Sequence, residues 1–159
     1  VISQLNANWI WTPHWIDSAE TNTAGRIVHF KRQVQISSLP ETAVLHFSAD
    51  TRYKLYVNGA RVAVGPCRSS PYIWYYDTLD IAPFLIEGQN VLEFAVIRYF
   101  ASSRAAMPFE RTPYPGLTIC GGFVVNDLFH DLDSTKGWRC WIDDSIRFPT
   151  GLVDDGFLH

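Results

Sequence analysis

Four close pairs of carboxylates stand along the chain: Asp77 with Asp80, Asp131 with Asp133, Asp143 with Asp144, and Asp154 with Asp155. Two carboxyl groups facing each other across a sugar would carry out glycoside hydrolysis, one of them as the general acid. Neighbours in sequence do not face each other in that way. Asp77 and Asp80 also read as strand-end and turn residues, and Asp131 and Asp133 as a surface turn before Gly137. Ser102, Ser103 and five histidines are present, but no GxSxG elbow lifts a serine onto a strand-to-helix turn. Gly-rich phosphate loops are absent, so nucleotide chemistry has no anchor. No EF-hand spacing occurs, and calcium is expected only where oxygens from separate segments converge.

Aromatic residues are more suggestive. Sugar rings present C–H groups that pack on flat aromatic faces, while their hydroxyls pair with Asp, Asn and Arg. The stretch WYYD, residues 74 to 77, supplies both ingredients. Read as a strand, it sends Trp74 and Tyr76 to one side and Tyr75 and Asp77 to the other, so half of it faces any ligand. Near the start, Trp9 and Trp11 share a face at two-residue spacing and, with Trp15, are expected to close one edge of the fold. Arg98, Arg104, Glu110 and Arg111 read as a polar rim of mutual partners.

The elements that must position these groups are strands. RIVHFKRQVQI (26 to 36) sets Val28, Phe30, Val34 and Ile36 against His29, Lys31, Gln33 and Gln35, the period of a half-buried strand. Arg32 falls on the apolar side and needs an acceptor there. AVLHFSAD (43 to 50) follows, then RYKLYVNGARVAVGP (52 to 66), where Asn58-Gly59 supplies the positive φ values of a type I′ turn. Alternation puts Tyr53, Leu55 and Val57 on one face of this hairpin and Lys54, Tyr56 and Asn58 on the other. The hairpin therefore reads as frame rather than site. Loops gather at its ends, residues 50 to 52 and 65 to 68.

WYYDTLDI (74 to 81) is expected as a strand, PFLIEGQN as a short turn entered at Pro83 and left at Gly88, and NVLEFAVIRYF (90 to 100) as a central strand. Residues 100 to 122 hold three prolines and read mostly as a long ordered loop before a strand near LTICGGFVV, with a late strand in GWRCWID (137 to 143). No helical period persists over ten residues. Short strands separated by turns predict an all-β fold, an antiparallel β-sandwich of jelly-roll, galactose-binding-like type.

A length of 159 residues suits one domain, and six Trp, seven Tyr and ten Phe supply ample apolar area for a core. The formal charge is −3 and the thirteen Lys and Arg are scattered, so no basic stripe favours nucleic acid. No run approaches eighteen apolar residues, and no membrane partner is expected. Cys67, Cys120 and Cys140 lack CxxC spacing and read as free thiols. The chain opens on Val1 and its last residues, DDGFLH, break off inside what reads as an ordered segment. It is expected to be a piece of a larger protein, which leaves the compartment open between secreted and cytoplasmic.

Together, NWIW near the start, RIVHFKRQV, SADTRYKLYVNGARVAVGP, YYDTLDIAPFLIEGQNVLEFAV and the later GW resemble the amino-terminal β-sandwich region of α-L-rhamnosidase-type glycoside hydrolases, the fungal members most of all. The resemblance covers residues 8 to 145. It implies a Trp-rich edge segment over 1 to 25, a sandwich core over 26 to 145, and the start of a linker or next domain over 146 to 159. It further implies that catalytic carboxylates sit in an (α/α)₆ barrel elsewhere in the parent, so no catalytic residue is assigned here. Some relatives use such a sandwich to bind rhamnose with calcium. The expected function is an accessory carbohydrate-binding or scaffolding domain, with a rhamnose-containing glycan or glycoside and the downstream catalytic domain as partners. A purely structural brace for the barrel and an independent lectin-like module are the alternatives. Expected sugar contacts are the strand-end groups Asp50, Arg52, Tyr53, Trp74, Tyr75, Asp77, Arg98 and Tyr99.

Overall fold

A computed structural model describes residues 1–13, 15, 25–70, 72–99 and 111–146. It opens with a six-residue helix, α1 (Ile2–Ala7), and continues as strands β1 (Arg26–Ile36), β2 (Ala43–Asp50), β3 (Arg52–Val57), β4 (Ala60–Gly65) and β5 (Asp77–Asp80). A short 3-10 turn (Ala82–Phe84) leads to β6 (Gly88–Arg98), followed by β7 (Gly116–Val125), β8 (Leu128–Asp131) and β9 (Arg139–Ile142). Two antiparallel sheets result, one of five strands in the order β4-β3-β6-β1-β9 and one of four in the order β5-β2-β7-β8. The all-β sandwich expected from the strand periods is the observed fold.

The alternation in β1 and β6 explains the layering. Val28, Phe30 and Ile36 of β1 and Leu92, Phe94 and Val96 of β6 are fully buried, and they meet Leu45, Phe47 and Ala49 of β2 and Leu117 and Ile119 of β7. Phe47 of the four-stranded sheet meets Phe94 and Tyr53 of the five-stranded sheet edge-on, each with centroids 5.2 Å apart. These edge-to-face contacts tie the two sheets together. Strand β6 is central, flanked by β3 and β1. The β3–β4 hairpin turns at Asn58 (φ 50°) and Gly59 (φ 81°), both left-handed as a type I′ turn requires. Arg32 finds its acceptors in the carbonyls of Asp131 (2.6 Å) and Lys136 (2.8 Å).

Several expectations change. The strand sought over 74 to 81 is confined to Asp77–Asp80, so its aromatic residues lie before the strand and do not alternate. The late strand is only Arg139–Ile142, and both β8 and α1 went unforeseen because each is short. Residues 100 to 110 of the predicted long loop lie outside the described residues. Trp9 and Trp11 part company. Ile10 between them exchanges backbone hydrogen bonds with Leu117, Trp11 packs on Phe30 at 5.7 Å, and Trp9 lies against Gly116.

Candidate functional site

Residues 73 to 77 form a segment laid along the outer face of the four-stranded sheet. The Ser48 hydroxyl, which points outward from β2, donates to the Tyr75 carbonyl at 2.6 Å. Ser70 and Ile73 exchange backbone hydrogen bonds, tightening the entry to the segment. At its far end the Asp77 carboxylate accepts from the Tyr53 hydroxyl, which reaches out of the core past Gly65. Beside Asp77, Tyr76 meets the His46 ring edge-on at 6.0 Å.

Opposite this segment stands α1, held down by side chains of the same sheet face. Thr118, cross-strand partner of Ser48, donates to the Leu5 carbonyl (2.6 Å), and Asn8 donates to the Ile119 carbonyl (3.1 Å). Between helix and segment lies a hollow of about 140 Å³ walled by Trp9, Trp74, Tyr75 and Tyr76, with Leu5 and Thr118 behind them. Tyr75 is 49% and Tyr76 42% exposed, so aromatic surface stays open to solvent. The buried Trp74 Nε1–H has no acceptor among the described residues. A shallow hollow of this size suits one face of a single sugar ring rather than an enclosed molecule.

Three of the expected contacts belong instead to the frame. Asp50 and Arg98 are 1% and 0% exposed and pair with each other at 2.5 Å. Thr112 completes the cluster, donating its N–H (2.7 Å) and hydroxyl (2.6 Å) to Asp50 while its carbonyl accepts from Arg98 (2.8 Å). Burial pushes the Asp50 carboxyl up, against the pull of Arg98 and Thr112. Tyr53, 1% exposed, is spent on Asp77, and burial followed by that hydrogen bond pushes its hydroxyl pKa far up. Side chains without accessible surface cannot meet a ligand.

The remaining five are half-buried or exposed. Trp74 and Tyr75 are brought together in the hollow, Asp77 anchors the segment, Arg52 lies on the outer side of β3, and the Tyr99 N–H donates to the Thr51 hydroxyl at 3.1 Å. Trp9 and Tyr76 were missing from the expected contacts. Their signal was the aromatic density itself, obscured by the strand alternation wrongly applied to 74 to 77.

Among the described residues no three His, Cys, Asp or Glu side chains gather as metal donors would, so calcium has no donor set among these groups. The three cysteines are free: Cys67 exposed, Cys120 buried and Cys140 half-buried, with burial pushing the last two thiols up.

No protein-family model matches the sequence, and no curated protein matches it either. Solved structures do. The GH78 family rhamnosidase of Bacillus sp. GL1 superposes with a TM-score of 0.67 at 27% identity over 86% of this chain. The α-L-rhamnosidase of Streptomyces avermitilis, solved with L-rhamnose, gives 0.62 at 19% identity over 87%. A lectin from Pleurotus ostreatus, solved with GalNAc, gives 0.51 at 14% identity over 84%. The chain spans only 13% and 12% of the length of those two rhamnosidases and 35% of the lectin. Over most of its length, then, this chain is similar to a single β-sandwich domain of the GH78 α-L-rhamnosidases.

Proposed function

We propose that the chain is an accessory carbohydrate-binding domain of a larger α-L-rhamnosidase-like hydrolase, one that removes terminal α-L-rhamnose from glycans or glycosides. In this reading residues 1 to 25 are the Trp-rich edge segment and 26 to 145 the sandwich core of one binding domain, 146 to 159 lead into the next, and catalysis belongs to the rest of the parent. A fungal parent is part of the same proposal, which rests there on the motif resemblance alone. The observation that carries it is the aromatic hollow of Trp9, Trp74, Tyr75 and Tyr76, open on a sandwich shared with rhamnosidases and a lectin. The hollow displays flat apolar faces, which is what a sugar's C–H surface requires.

Calorimetric titration with L-rhamnose or a rhamnosylated glycoside, with and without calcium, tests it. The expected affinity is weak, with Kd on the order of 1 mM. Losing one stacking ring is worth about 0.5–1.5 kcal/mol, so Trp74→Ala and Tyr75→Ala should each weaken binding about two- to tenfold. A flat titration for the unaltered chain overturns the proposal.

A second reading, a domain that braces the catalytic barrel, draws on a different surface. Val124 and Phe129, cross-strand partners on the β7–β8 hairpin, are 54% and 57% exposed and make an apolar patch suited to a neighbouring domain. That reading predicts a fragment that self-associates alone and becomes monodisperse when extended past His159. A stable, monodisperse fragment counts against it.

A further inference from the structure

The outer face of the five-stranded sheet has a composition unlike the rest of the chain. The strand register sets its side chains in two rows. One runs Val64, Lys54, Ala95, His29, Trp141 from β4 to β9, and the next runs Arg61, Tyr56, Glu93, Lys31, Arg139. Four cations thus share the rows with one carboxylate, Glu93, and Asp143 stands just beyond β9, although the chain as a whole carries −3. Ala95 is the small residue between Lys54 and His29, and a hollow of about 390 Å³ opens over it, walled by Lys54, Tyr56, His29, Glu93 and Asp143. A second hollow of about 650 Å³ follows along β1, lined by Lys31, Gln33, Arg139 and Trp141.

The charges in these hollows are not equivalent. Both carboxylates are held by His29, whose Nδ1 lies 2.9 Å from Glu93 and Nε2 3.4 Å from Asp143. Lys31 adds a contact to Glu93 at 3.9 Å, and the Ser145 N–H and hydroxyl donate to Asp143 at 2.8 and 2.5 Å. Lys54, Arg61 and Arg139 are exposed and make no ion pair among the described residues. The Trp141 ring, 44% exposed, is fixed by stacking on His29 at 5.2 Å and 10°. The face therefore offers unpaired cations, fixed hydroxyl acceptors and a flat ring along one line.

From this we infer a second binding site, distinct from the aromatic hollow on the opposite sheet, for an acidic saccharide whose rings carry carboxylates. Lys54 and Arg139 would pair with ligand carboxylates, Glu93 and Asp143 would accept ring hydroxyls, and Trp141 would take a ring face. Glu93 and Asp143 also favour a saccharide over a nucleic acid, whose closely spaced phosphates they would repel.

The test titrates the 159-residue chain with a trimer of galacturonic acid, with its neutral methyl ester, and with a single-stranded DNA oligonucleotide. The free acid should bind at least fivefold more tightly than the ester and weaken as salt rises. Lys54→Gln and Arg139→Gln, both at exposed positions, should each weaken the acid at least threefold, while Trp74→Ala leaves it unchanged. Equal affinity for acid and ester, loss on Trp74→Ala instead of Lys54→Gln, no binding at all, or tighter binding of the DNA would each overturn the inference. Rhamnose binding is independent of all four results, so the two sites stand or fall separately.

Discussion

Tyr53 connects the core to the aromatic hollow through one hydroxyl. Its ring packs against Phe47 and Phe94, and its O–H is the donor that holds Asp77 at the end of the 74 to 77 segment. Tyr53→Phe keeps the packing and removes only that donor, at a cost of about 1–3 kcal/mol for a half-buried carboxylate left unpaired. A denaturant melt should show this modest loss, and a sugar titration should show weaker binding through a loosened Trp74 and Tyr75. Full sugar affinity in this variant would mean that the anchor does not position the hollow. Arg98→Met acts on a harsher scale, because it leaves Asp50 buried beside Thr112 without its cation, a change worth about 3–5 kcal/mol. Asp143 offers a pH test. The Ser145 hydroxyl and N–H, and then His29, hold its carboxyl below the usual range. A lowered folded-state pKa contributes stability that is present above the ordinary carboxylate value and lost as pH falls through the lowered one. Ser145→Ala should therefore lower stability at neutral pH and above, and the difference from the unaltered chain should fade as pH falls through the carboxylate range, which thermal melts in a series from neutral to acid check.

At the scale of elements, the β3–β4 hairpin and the glycine-backed aromatic wall call for opposite outcomes from the same substitution. Gly59 sits at φ 81° with open space around it, so Gly59→Ala meets only the left-handed backbone penalty of about 1–2 kcal/mol. For a chain of this size that is a fall in Tm of about 2–8 °C, with sugar binding intact. At Gly116 a Cβ would collide with the Trp9 ring, so Gly116→Ala should displace Trp9 and weaken rhamnose binding beyond its effect on Tm. The hairpin was legible in advance because period-two alternation and Asn58-Gly59 are local signals that agree. So were β1, β2 and β6, whose apolar residues recur over eight or more positions. The hollow was only half legible. Trp74 and Tyr75 could be singled out by type, but their common orientation depends on Ser48 and Tyr53, partners 27 and 24 residues from the groups they bind. Asp50 and Arg98 misled for a related reason. A charged residue at a strand end usually faces water, and nothing local announces a partner 48 residues away that lets both be buried.

At the scale of the whole molecule, the sandwich has one core, and its centre is shared by both sheets. Phe94 touches Phe47 from the opposite sheet, Tyr53 from the neighbouring strand, and Trp138 just ahead of β9 at 5.8 Å. The buried residues of both sheets, among those described, belong to one cluster, so neither sheet keeps its buried face once the other leaves. Truncating a fully buried Phe removes its transfer energy and leaves a cavity, together about 3–5 kcal/mol, out of a total of about 5–15 kcal/mol for such a domain. Phe94→Ala should accordingly lower the denaturant midpoint sharply while leaving the transition single. Tryptophan fluorescence reports Trp138 near the five-stranded sheet and Trp74 on the outside of the four-stranded one, whereas far-ultraviolet circular dichroism reports the strands. Coincident curves from the two probes, in the unaltered chain and in Phe94→Ala, are the expected result. Separated curves would mean that the sheets unfold apart. The aromatic hollow and the cationic face would then rest on independently stable halves rather than on opposite sides of one cooperative unit.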